Sequence, residues 1–160
     1  MAESDWDDAW IFLSIARSDG GPLHHFFAAA DHIGIAIPTD QELESAIRRL
    51  AANDLVATTG GSFALTAKGR DLFERGGGTS AYPRPQLTPI QPLLREALQS
   101  EKAQSAWHVD PGETLAARQQ YAKSSKAASK ELTKALLSAP ADSKLGEIAA
   151  AMRLKRRRDK

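Results

Sequence analysis

The chain has 160 residues, 42% of them hydrophobic, no cysteine and a formal net charge of +1. That length holds one domain with extensions or two very small ones, and the lack of cysteine excludes a disulfide framework, a thiolate metal site and a thiol nucleophile. The small net charge hides a division: residues 1–76 carry 6 Lys/Arg against 12 Asp/Glu, and residues 77–160 carry 15 against 8, so the two halves meet a polyanion differently.

The acidic start, Met1-Ala-Glu-Ser-Asp-Trp-Asp-Asp, is unlike a secretory signal. No apolar run approaches the ~20 residues that a spanning helix needs. A soluble cytoplasmic protein with no membrane contact is expected.

Ser4 can cap a first helix over about 5–17, with Asp5, Asp7 and Asp8 at the positive end of its dipole. Trp6, Ala9, Trp10, Leu13 and Ala16 form one stripe, and Ile11, Phe12 and Ile15 widen it beyond one face. A helix this apolar is either central to its domain or shared with a partner. Pro22 suits the first turn of a second helix over 23–33. Thr39 and Glu42 form the T-x-x-E pattern of a capping box. They start a third helix over about 40–52 that buries Leu43, Ala46, Ile47 and Leu50. Two short strands, 55–59 and 62–65, flank the hairpin signal Gly60-Gly61, and Thr66 opens a fourth helix over 67–75.

Leu50-Ala-Ala-Asn-Asp-Leu-Val followed by Phe63-Ala-Leu-Thr-Ala-Lys-Gly-Arg-Asp-Leu-Phe resembles the recognition-helix end, wing and exit helix of bacterial winged helix proteins, with the texture of MarR- and PadR-type regulators. The stretch from Trp6 to Glu74 is similar to small bacterial winged helix proteins, with Ile37-Pro-Thr-Asp-Gln-Glu-Leu at the start of the third helix. The resemblance covers under half of the chain and specifies fold better than function. It implies a mainly α fold with a small β-hairpin, a winged helix-turn-helix domain over 5–76. Gly76-Gly-Gly-Thr-Ser and Pro83-Arg-Pro then predict a linker over 77–89 from their own composition. A basic helical extension over 90–155 and a disordered basic tail over 156–160 would follow. Within that extension, helices are expected near 90–106, over about 111–138 behind the cap Asp110-Pro111, and briefly after Asp142 or Ser143.

In DNA-binding members of this fold the third helix enters the major groove and the wing touches the adjacent backbone. With Leu43, Ile47 and Leu50 inward, Gln41, Ser45, Arg48 and Ala52 face outward. Gln41 suits adenine, Arg48 guanine, and Ser45 a base or a phosphate. Arg49 on the flank, with Lys68 and Arg70 on the exit helix, suits phosphates. Against this, Asp40, Glu42 and Glu44 crowd the same helix and the wing tip has no cation, whereas duplex affinity comes mainly from neutralised phosphates. Lys155, Arg156, Arg157 and Arg158 are a better polyanion cluster. Lys123, Lys126, Lys130 and Lys134 form a stripe that fits either phosphates or plain solvation.

The expected function is a transcription-regulator-like protein that binds double-stranded DNA through the third helix (40–52) with help from the basic C-terminal residues. The alternative is a protein-interaction module with an acidic winged helix and no sequence-specific DNA binding. The resemblance also implies a homodimer, for which Trp10, Ile11 and Ile15 are the candidate contacts. His24, His25, Asp31 and His32 lack metal spacing, because His25 and His32 stand about 10.5 Å apart along a helix. With no phosphate-cradling glycine loop and no nucleophile elbow, neither an enzyme nor a cofactor is expected.

Overall fold

The Thr39 side chain accepts a hydrogen bond from the Glu42 amide at 3.2 Å, and Glu42 Oε2 accepts one from the Thr39 amide at 2.6 Å. This reciprocal pair is the capping box expected from the sequence. The structure, a computed structural model, describes residues 3–18, 20–33, 36–78, 83–98, 105–138 and 143. Its elements are α1 (Glu3–Ser18), α2 (Leu23–His32), α3 (Asp40–Ala52), β1 (Val56–Thr59), β2 (Ser62–Leu65), α4 (Ala67–Arg75), α5 (Pro83–Leu98) and α6 (Pro111–Ser138). The chain divides into two units, residues 1–121 and residues 122–160. Mainly helical with one small hairpin, it matches the expected class. Among the described residues no helix is long and apolar enough to cross a membrane.

In the first unit, α1 is the central element, packed by α2, α3, α5 and β2. Its apolar surplus is thereby explained: Trp10, Ile11, Phe12, Leu13 and Ile15 are all buried within the chain. The dimer contacts expected at Trp10, Ile11 and Ile15 are therefore not offered to a second copy, because neighbouring helices already cover them. α1 also begins at Glu3, one residue before the Ser4 expected to cap it.

The end of α3 is shaped by Asp54, the one described residue other than glycine with positive φ (58°). The Leu55 amide reaches back to Leu50 O at 2.9 Å and the Asp54 amide to Ala51 O at 3.0 Å. That is a Schellman stop, sealed by the buried side chains of Leu50 and Leu55. β1 and β2 then pair antiparallel, Val56 opposite Leu65 and Thr58 opposite Phe63. Gly60 and Gly61, at φ 51° and 76°, make the tight turn. Phe63 points inward against Phe26, with ring centroids 5.7 Å apart.

Beyond α4 the structure departs from expectation. The segment read as a linker over 77–89 is helical from Pro83, and α5 carries Pro89 and Pro92 within it. Each proline removes one helix hydrogen bond. The helix persists because Ile90 and Leu94 are fully buried, and packing an apolar face supplies most helical stability in a protein. α5 packs on α1 and α4. The short helix expected after Asp142 or Ser143 and the basic tail lie outside the described residues.

Candidate functional site

The outer face of α3 is where the sequence placed recognition, and Asp40, Glu44, Arg48 and Arg49 of that helix are already engaged within the chain. Gln41 is exposed and Ser45, Arg48 and Arg49 are half-buried. Arg49 makes a bidentate pair with Asp8 of α1, Nη2 to Oδ1 at 2.7 Å and Nε to Oδ2 at 3.0 Å. Its guanidinium thus ties α3 to the core helix. Arg48 Nε donates to the carbonyl of Ser105 at 3.0 Å, and its Nη1 lies 3.6 Å from Glu44. Glu44 in turn accepts from the Val109 amide at 3.1 Å, with His108 Nδ1 at 3.1 Å from its other oxygen. Arg48 and Glu44 therefore hold the main chain of residues 105–109 across the helix.

Side chains of that segment add to the contact. The Trp107 ring meets the Phe63 ring edge-to-face, centroids 5.5 Å apart, so the segment spans α3 and the hairpin. Asp110 Oδ1 then accepts from the Gly112 amide at 2.7 Å and from Glu113 at 3.3 Å, which caps α6 as the Asp110-Pro111 pair predicts. One turn on, Thr114 and Ala117 are buried. Arg118 Nη2 donates to Pro38 O at 2.8 Å and to Asp40 Oδ1 at 2.7 Å, while its guanidinium lies 5.3 Å from the Phe27 ring centroid. Tyr121 donates to Asp31, and Gln120 Nε2 lies 3.4 Å from His24 Nε2.

The electrostatics follow from this geometry. The Val109 N–H, and then His108, hold the Glu44 carboxyl below its usual range, against a smaller opposing effect of desolvation. Asp40 meets Arg118 and Glu44 meets Arg48 and His108, so part of the acidic crowding on α3 is answered within the chain.

The remaining sequence-predicted residues do not join this face. Lys68 Nζ donates to Asn53 O at 2.9 Å, capping the carbonyl end of α3. Arg70 is exposed on α4. Lys155, Arg156, Arg157 and Arg158 lie outside the described residues. Reading the sequence missed Ser105, Trp107, His108, Val109 and Arg118, whose partners lie far away in the chain. The cap at Asp110 was the one local signal near them. Among the described residues no group of three or more His, Asp or Glu could hold a metal ion.

Chemically, the face holds a stretch of the chain's own polypeptide: a carboxylate takes a backbone N–H, a guanidinium takes a backbone carbonyl, and an aromatic ring meets an indole. Comparison with family models, with curated proteins and with solved structures finds no match to this chain.

Proposed function

We propose that this chain is a protein-interaction module on a winged helix-turn-helix scaffold, in which α3 and the hairpin contact polypeptide and do not read DNA bases. The observation that carries the reading is the hold of Glu44 and Arg48 on the main chain of Val109 and Ser105. Main-chain recognition with a side-chain pocket beside it is a recurring mode of peptide docking. Here the docked segment is the chain's own. A partner would supply the same chemistry: an extended stretch, an aromatic ring for Phe63 and a guanidinium for Asp40. Base reading through Arg48 would instead require residues 105–118 to leave, and would leave α3 with Asp40, Glu42 and Glu44 facing the phosphates.

Two measurements on the full chain test the reading. A labelled peptide of the sequence 105–121 should bind the Trp107→Ala, Arg118→Ala double variant at least tenfold more tightly than wild type, because the tethered copy competes at an effective concentration on the order of millimolar. In parallel, Arg48→Ala should leave retention of random duplex at about 50 mM salt unchanged, since phosphate contacts dominate there. A peptide that binds neither form, with a tenfold loss of duplex on Arg48→Ala, would mean that α3 serves DNA.

A further inference from the structure

We infer that the lysine face of α6, formed by Lys123, Lys126, Lys130 and Lys134 in the second unit, is a phosphate-tracking surface for double-stranded nucleic acid. It stands independently of α3. All four lysines are exposed, and among the described residues none is ion-paired. At 3.6 residues per turn they fall within an arc of about 80° and run about 16.5 Å along the helix. Glu131, the single acidic residue in 122–138, sits on the flank of that arc. Lys126, Lys130 and Lys134 are like charges at i, i+4 and i+8, which destabilise a free helix and are relieved when anions lie over them.

The geometry favours a duplex over other polyanions. A duplex presents one negative charge per about 1.7 Å of axis, so about ten phosphates run alongside a stripe of this length. Single strands are gripped through aromatic stacking platforms, and residues 122–138 contain no aromatic residue. An anionic membrane would need a bulky apolar side opposite the lysines. That side holds Ser125, Ala128 and Leu132, and Leu132 is the one exposed large hydrophobic residue described within 122–138.

The test is fluorescence anisotropy of the full chain on a random duplex of about 24 base pairs, over a salt series from about 25 to 200 mM. Each lysine on a phosphate contributes about 0.9 to the slope of log affinity against log salt. Replacing all four lysines by glutamine, which keeps helix propensity, should therefore reduce the slope by about 3 to 4. Glutamine at Lys155, Arg156, Arg157 and Arg158 should leave that contribution in place. Circular dichroism checks the helix. If the quadruple variant loses it, the double variant Lys126→Gln, Lys130→Gln should lose about half as much slope as expected for all four. The inference is overturned by a wild-type slope in the lysine variants, or by loss of all binding on changing the tail alone. It is equally overturned by a wild-type chain that ignores duplex at about 50 mM salt, whether or not it binds phosphatidylserine vesicles. Failure of the α3 reading would appear separately, as a loss on Arg48→Ala.

Discussion

Arg49 and Asp8 form a bidentate pair in which the Asp8 side chain is buried, 6% exposed, while the Arg49 side chain keeps 32% of its surface. The asymmetry sets the mutational response. Arg49→Ala leaves a buried carboxylate without its guanidinium and should cost about 2 kcal/mol or more. Asp8→Ala leaves a guanidinium that still reaches water and should cost about half of that. Urea denaturation of the two variants measures the difference. Equal costs, or a larger cost for Asp8→Ala, would mean that Arg49 is not a structural residue.

Backbone geometry gives a second pair of expectations. A Cβ on Gly69 would stand 2.1 Å from the carbonyl oxygen of Leu55, where α4 presses on the exit from α3. Gly69→Ala should therefore destabilise by about 3 kcal/mol, at the upper end for overpacking. Asp54, held at φ 58° in the Schellman stop, should tolerate the opposite change: Asp54→Gly relieves left-handed strain and should be neutral or stabilise by up to about 1 kcal/mol. Thermal midpoints of the two variants should move in clearly different directions or amounts.

Local chemistry made the first 76 residues legible. The Thr39–Glu42 cap, the Gly60-Gly61 turn and the cap of Thr66, whose hydroxyl accepts from the Gly69 amide, all act over three residues or fewer. The covering of α3 was not legible, because Arg118 and Asp40 are 78 residues apart and Val109 and Glu44 are 65 apart. Such pairings depend on where α5 returns the chain. The prolines of α5 concealed that return: they read as punctuation before a helix, whereas burial of Ile90 and Leu94 keeps them inside one. The lysine stripe was visible from spacing alone, since periodicity on a single helix needs no tertiary information.

Closure of the segment over α3 should respond to acid. The Glu44 carboxyl in the folded chain is held below its usual value of 4.5. A lowered value means that the stabilisation is present above 4.5 and is lost as pH falls through the lowered one. The Val109 amide resonance, followed by NMR from pH 7 downward, should shift in that acid window. Glu44→Gln should abolish the response. A Val109 shift that persists unchanged in Glu44→Gln would assign the titration to another group.

Trp107 anchors the same segment on Phe63, half-buried and edge-to-face. Aromatic pairs of this kind add roughly 0.5–1.5 kcal/mol beyond their buried area. Trp107→Ala should loosen residues 105–109 at about that cost while leaving the buried cluster of α1 to α4 intact. Global unfolding by urea should move little, and limited proteolysis should cut sooner near residue 105. Unchanged proteolysis would remove Trp107 from the contact.

Amide hydrogen exchange of Val109 in the full chain tests most directly whether α3 is covered by its own polypeptide. The Val109 N–H on Glu44 should exchange at least tenfold more slowly than an unstructured amide, and Glu44→Ala should restore much of the lost rate. A Val109 amide that exchanges at the unstructured rate in the wild-type chain would contradict the covered face, and would return α3 to the surface open for DNA.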